Sequence, residues 1–387
     1  MRVFALATSC IVVLAWLAVP RVSAQATGTT TRNWNQETAA AYLDHRMDEW
    51  FAKGQQLRTG QGTATCVSCH TVVPYALAWP VLRRAMRVDT LTPQETRLAD
   101  ETRRRVQTFD TNQPLYEAEE EKKGQSRGTE AVVYALILAS VDGGRSRPEP
   151  SDATRLAMTR LWQTQRADGS WEWLDVGIEP FESIDSAYQG AALAALAVGM
   201  TTSLSKTPSA RTGIAKLRGY LKTNYSRQSL HNRLWGVLAL TSLNDPLTDA
   251  REGLVAELQR RQNDDGGWSL EGLGGWRWNR TTAPFQSPGT RDLSLAAKSD
   301  GYATGLSVYA LRRARVFGDH GVVEKGLEWL RSNQQPVRVS DGEWVAWRAY
   351  SLNFDREHGG PKGEPWRRFF MSDAATAFAV LALAASD

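Results

Sequence analysis

The sequence predicts an all-α protein, an (α/α)6 toroid of six outer and inner helix pairs, and two observations carry that expectation. First, three segments share one layout: an amphipathic stretch ends in glutamine, a glycine turn follows, and then a tryptophan. They are Gln165 with Asp168, Gly169 and Trp171; Gln262 with Asp265, Gly266 and Trp268; and Gln334 and Gln335 with, after an insertion, Asp341, Gly342 and Trp344. Second, each leads into a stretch rich in alanine, leucine and small residues that opens at an aspartate: Asp185, Asp300 and Asp373. Recurrence of this kind marks a repeat architecture before any single element is assigned.

Each part has a physical reason. An Asp-Gly step supplies the positive φ that stops a helix. The glutamine amide is placed to bond to the next unit's backbone, and the indole covers the turn. The aspartates are expected to cap free N–H groups and to favour the helix dipole. Small residues let helices approach closely, so the second stretch reads as the inner member of each pair. Degenerate copies extend the pattern: outer helices over 36–54, 92–109, 151–166, 209–224, 247–263 and 321–334, and inner partners over 70–86, 127–141, 183–201, 229–243, 299–316 and 371–385. In the first inner helix Pro74 suits the opening turn, while Pro80 is expected to kink it.

This Gln…Gly-x-Trp repeat resembles that of the squalene–hopene and oxidosqualene cyclases, whose relatives include the protein prenyltransferase β-subunits. The resemblance is clearest over 150–387 and weaker over 36–150. It implies the toroid. It does not carry the chemistry across, because no Asp-x-Asp-Asp acid is present and no cysteine follows Cys69 to complete a prenyltransferase zinc site.

Arg2 precedes an apolar run from Val3 to about Pro20, and Val22-Ser23-Ala24 follows. That is the layout of a secretory signal peptide over 1–24, cleaved before Gln25, with an uncleaved anchor as the rival reading. A flexible linker over 25–35 and the toroid over 36–387 complete the expected organisation, and the protein is expected to be periplasmic or otherwise exported and soluble after cleavage. The net charge of +4 falls to +2 once Arg2 and Arg21 leave, and no basic stripe points to nucleic acid. Of three cysteines, removal of Cys10 leaves Cys66 and Cys69.

Those two stand in Cys66-Val67-Ser68-Cys69-His70, the attachment pattern of a c-type haem. Two thiols add to the haem vinyl groups, and the adjacent imidazole sits under the iron as proximal ligand. The expected cofactor is covalent haem c on Cys66, Cys69 and His70, carried within 36–130 on the rim of the ring. A local disulfide and a structural zinc clip are the alternatives. For the distal iron ligand, Met371 and His358 are the leading residues, beside an open site; His45, Met47, Met86 and His231 are further choices. Two long aromatic and arginine-rich connections, 269–298 and 345–370, are expected to roof that face. Asp264-Asp265 reads as part of a turn, Glu117 to Lys123 as a solvated connection, and Arg103 to Arg105 as an exposed helix face.

Three functions compete on these observations. The leading one is a haem protein relaying electrons to a periplasmic redox partner or doing redox chemistry. The second is an enzyme acting on an apolar or sugar-like substrate in the toroid's cavity. The third is a non-enzymatic binding module with an aromatic rim. Whether the chain is an enzyme is left open, with no catalytic residue assigned.

Overall fold

The computed structural model describes residues 34–384, apart from 118–119, 145–148, 246–247, 275, 277–294, 316–320, 340–341 and 353–364. The signal segment and His358 therefore lie outside the described residues. Alternating along the chain are outer helices α1 (Gln36–Lys53), α3 (Pro93–Gln107), α5 (Asp152–Gln163), α7 (Pro208–Asn224), α9 (Thr248–Arg261) and α11 (Val322–Ser332). Between them run the inner helices α2 (Val72–Met86), α4 (Glu120–Gly143), α6 (Ala187–Met200), α8 (Leu230–Ser242), α10 (Gly301–Arg313) and α12 (Phe370–Ala384). Each inner helix packs on the next, and α12 packs back on α2, which closes an (α/α)6 ring. Inner helices are apolar on nearly every side, with α12 buried from Phe370 to Ala382. Outer ones bury a stripe, as α11 does with Val322, Val323, Gly326, Leu327, Trp329 and Leu330.

The staples form as their chemistry demands. The Nε2 of Gln165 donates to Gly169 O (3.1 Å) at its own turn and to Gly213 O (3.0 Å) of the next outer helix. Gln262 does the same to Gly266 O (2.7 Å) and Val322 O (3.0 Å). Gln334 closes the ring: its Nε2 donates to Asn35 O (2.8 Å) and its Oε1 accepts the Asn35 N–H (2.6 Å), tying the last pair to the first. Gly169 and Gly266 take φ of +96° and +89°, and a Cβ on Gly169 would overlap the Lys216 carbonyl. The indoles of Trp171 and Trp268 donate to Leu161 O and Leu258 O, both at 2.9 Å.

Two expectations need correction. In the last repeat the covering indole is Trp347, which donates to Leu330 O (2.8 Å), because a hairpin of β1 (Gln335–Val339) and β2 (Gly342–Ala346) is inserted before it. Trp344 stacks instead on His45, 4.3 Å away. Of the three aspartates, only Asp300 caps: its Oδ1 accepts from Tyr302 N–H and Ala303 N–H at 2.9 and 2.8 Å. Helix α6 is preceded by Ser186, and α12 begins at Phe370, so Asp373 falls inside the first turn and its carboxylate turns to other partners. Helix α2 contains Pro80 within its span. Proline has no N–H to give the Ala76 carbonyl, and the Ser140 hydroxyl of α4 supplies that hydrogen bond.

Residues 33–387 form one compact unit, so the Cys66–His70 loop belongs to the ring and not to a separate small domain. Among the described residues, no helix is long and apolar enough to cross a membrane.

The closure makes a prediction. Gln334→Ala removes the bonds across the seam and should lower stability by about 1–3 kcal/mol, read as a shift in denaturant midpoint. Gln163→Ala, on an exposed turn of α5, should stay within about 0.5 kcal/mol of the parent.

Candidate active site

All inner helices start on one face, because every outer-to-inner connection lies there. At this face His70 is half-buried, and its imidazole meets Trp50 at 5.4 Å, Phe370 at 5.1 Å and Phe181 at 6.4 Å. Phe181 in turn meets Tyr302 at 5.3 Å. These three come from the connections or starts of α2, α6 and α10, alternate members of the inner ring, so Phe181 reaches the ring axis. Trp366 adds its edge to Trp50 at 5.7 Å. The result is an aromatic-walled mouth.

A hydrogen-bonded relay orients His70. The Thr71 hydroxyl donates to Asp373 Oδ2 (2.8 Å), and Thr71 Oγ1 lies 3.0 Å from His70 Nδ1. The single hydroxyl proton of Thr71 goes to the carboxylate, so Nδ1–H donates to Oγ1. Asp373 also accepts from Arg46 Nε (2.7 Å) and Tyr42 OH (2.9 Å), and Arg46 reaches the Trp366 carbonyl at 2.9 Å. Asp373 thus locks α12 to α1 while it anchors the relay.

Sequence reasoning missed the acids of the mouth. The connection from α5 to α6 carries Asp175, Glu179 and Glu182, all buried. Glu182 Oε1 accepts the Cys69 N–H at 3.0 Å, which places a carboxyl beside the His70 loop. The connection is pinned to α4: Gln125 Oε1 accepts Asp175 N–H (3.1 Å), Thr129 Oγ1 accepts Leu174 N–H (2.8 Å), and the Lys122 ammonium donates to the Asp175 carbonyl. Lys122 is therefore buried rather than part of a solvated connection. Arg105 likewise leaves the exposed face expected of it and pairs with Glu130 at 2.8 Å in the interior. The one available signal was four acids set among Trp171, Trp173 and Phe181 in a connection too aromatic for an ordinary loop.

Cys66 and Cys69 are both buried. Burial, with Glu182 adding to it, pushes the Cys66 thiol up to about 12 and the Cys69 thiol well above its ordinary value. Both are protonated at neutral pH, which suits neither a thiolate metal ligand nor a nucleophile. The crevice beside Cys66, walled by Trp50, Phe51, Val72 and Leu98, is too tight for a water molecule. Cys69 faces Glu182 instead. Of the distal candidates, Met371 is fully buried at the start of α12, and the residue set against His70 is its neighbour Phe370. His45 is taken up by Trp344, while Met47 is core. Of the two roofing connections, 269–274, 276 and 295–298, and 345–352 and 365–370, are described.

His231 is wholly buried, with Nε2 2.8 Å from Tyr302 OH and Nδ1 3.1 Å from Asn232 Oδ1. Burial lowers its pKa from 6.5 to about 4, so it is neutral at physiological pH. Asp300, though pushed up to about 7 by burial, has its oxygens taken by the N–H groups of Leu270, Tyr302 and Ala303 and serves as a cap.

No protein-family model matches the chain, and no curated protein does. Among solved structures, a variant of UGL with dGlcA-Glc-Rha-Glc is similar at 12% identity and a TM-score of 0.53, over 89% of this chain and 94% of that one. An unsaturated glucuronyl hydrolase from Bacillus sp. GL1, responsible for the degradation of glycosaminoglycan, is similar at 11% identity and a TM-score of 0.53, over 90% and 96%. The chain has the fold of these sugar-acting hydrolases. The comparison corrects the leading expectation of an electron-transferring haem protein: the solved structures that share the ring are those of glucuronyl hydrolases. The cyclase resemblance holds at the level of the toroid.

Two predictions follow from the site's electrostatics. Asp373→Asn leaves the buried Arg46 guanidinium short of its main partner and should cost about 3 kcal/mol or more, measured by chemical denaturation. Because the folded pKa of His231 lies below its unfolded value, its contribution is present above pH 6.5 and is lost as pH falls toward 4. It amounts to about 3 kcal/mol, and the stability-versus-pH slope in that window should flatten in His231→Asn.

Proposed function

We propose that the protein is a glycoside-acting hydrolase whose site is the mouth formed at the starts of the inner helices. The observation that carries this reading is the convergence of Glu182, on its Cys69 N–H anchor, and His70, on its Thr71–Asp373 relay, within one aromatic wall. Cleavage of a glycosidic bond needs a proton delivered to the leaving oxygen and a base that draws a proton from water. Glu182 is the proton donor or acceptor fixed nearest the wall, with Glu179 and Asp175 on the same connection as further carboxylates. His70 is the second proton-handling group. Trp50, Phe181, Phe370 and Trp366 are buried around the loop and keep bulk water away from the carboxyl. The shared fold with glucuronyl hydrolases supports a saccharide as the substrate class, while the staples shared with cyclases are read as common scaffold and not common chemistry.

A second reading, a saccharide-binding ring without catalysis, draws on the packing of Phe181, Tyr302 and Phe378 inside the ring, with Tyr302 and Phe378 5.2 Å apart.

The test is turnover of an oligosaccharide panel that includes neutral, uronate-containing and unsaturated-uronyl-ended members. At least one member should be cleaved, and Glu182→Gln should lower kcat/KM by about 10²-fold or more without loss of the helical signal. Binding without cleavage across the panel would favour the second reading, and a fully active Glu182→Gln would remove Glu182 from the chemistry.

A further inference from the structure

At the far ends of the inner helices, on the face opposite the mouth, an open recess of about 360 Å³ lies between α7 and the ends of α6 and α8. That volume is within the range of pockets that take a small organic ligand. Its floor is closed where the two inner helices meet: a Cβ on Gly199 of α6 would stand 2.9 Å from the Ser242 Cβ of α8. Arg211, Ile214 and Arg218 of α7 form one wall, and the short turn Thr202–Lys206 completes the rim.

The charge of this region is one-sided. Between Asp185 and Asp245 the chain has no aspartate or glutamate, while lysine or arginine occurs seven times. Arg211, Arg218 and Lys222 follow one another at steps of seven and four residues, so they share one edge of α7 beside its buried stripe of Ile214, Leu217 and Leu221. Two of the three have work inside the fold. Arg218 Nη2 donates to the Leu243 carbonyl at the end of α8, and its Nε, 4.0 Å from Asp245 Oδ2, is buried without a hydrogen bond. Lys222 Nζ pairs with Asp245 Oδ1 at 2.7 Å. Arg211 has no such work: it makes no hydrogen bond or ion pair among the described residues. It also stands in the opening turn of α7, where the helix dipole disfavours a cation. One carboxylate thus faces three cations. The Thr202, Ser205 and Ser242 hydroxyls are likewise without a partner among the described residues, whereas the neighbouring Thr201 hydroxyl is spent on Ala197 O at 2.9 Å.

We propose that this recess binds a small organic monoester of phosphate or sulfate, with its oxyanion on Arg211 and Arg218 and its carbon body on Ile214 and Leu243. A tetrahedral oxyanion presents its free oxygens in different directions. Guanidinium groups from two turns of one helix and hydroxyls from two other elements suit that shape, whereas a planar carboxylate is matched by a single fork. The surplus of positive charge favours a dianion over a neutral ligand. This site lies on the opposite face from the mouth and does not rest on the saccharide reading given above.

The test is titration calorimetry of the full protein, at fixed ionic strength, with glucose 6-phosphate, glucose 6-sulfate and inorganic phosphate. At least one ester should bind, more tightly than inorganic phosphate, and the tighter ester names the group; free glucose should not displace it. Arg211→Gln, which removes no contact within the fold, should weaken that binding about 10-fold or more, and Arg211→Lys should recover part of it. Lys216→Gln, an exposed cation of α7 outside the recess, should leave binding unchanged, as should Glu182→Gln at the mouth. Binding of neither ester, equal binding of inorganic phosphate, or equal loss in Lys216→Gln and Arg211→Gln overturns the site, and loss in Glu182→Gln does so by moving the ester to the mouth. A protein that cleaves saccharides and binds no ester, or binds an ester and cleaves no saccharide, separates this inference from the proposed function.

Discussion

A ring of helix pairs is stable only if its last pair holds its first. Two contacts provide this here, and the rest of the structure depends on them. On the outer layer Gln334 exchanges hydrogen bonds with Asn35. On the inner layer Asp373 takes Arg46, Tyr42 and Thr71 at once. The first contact repeats a device used at the other two staples. The second is unique to the seam, and it couples closure to chemistry: the carboxylate that binds α12 to α1 also fixes the relay behind His70. A ring that opens at this seam loses the orientation of its mouth.

Much of the ring was legible in the sequence because its parts are local. The six outer and six inner stretches fall within a few residues of the observed helices, with α4 the exception, since its charged first turns do not read as buried helix. Gly169 and Gly266 take positive φ as an Asp-Gly turn requires, and Gln165 and Gln262 reach the next unit as their repeat position implies. What failed depended on partners distant in sequence. Trp344 stands where the repeat places its indole, but spacing cannot show that the inserted hairpin hands that role to Trp347. Asp373 looked like Asp300 until the helix was seen to start at Phe370 and Arg46 to lie opposite. The buried places of Lys122 and Arg105 follow from neighbours on other helices, Asp175 and Glu130, that no periodicity reveals.

The functional site divides in the same way. The motif at Cys66–His70 marked the loop that carries His70 to the mouth. In the ring, the loop's carbonyls, amides and hydroxyl are spent on Trp50, Glu182 and Asp373, and the thiols face packed surroundings. Asp175, Glu179 and Glu182 sit in a connection whose burial only the fold can show. Carboxylates next to tryptophans in a long loop are the pattern worth weighing in sequences of this kind, because an acid among aromatics is either well paired or in use.

The account's central claim is that a sugar is held and cleaved at this mouth. The most direct measurement is a crystal structure of the Glu182→Gln variant with an oligosaccharide that the parent protein cleaves. The account predicts a sugar ring at the mouth beside the His70 loop, with the scissile oxygen within hydrogen-bond reach of residue 182. A sugar bound elsewhere, with Glu182 and His70 remote from the glycosidic bond, would contradict it.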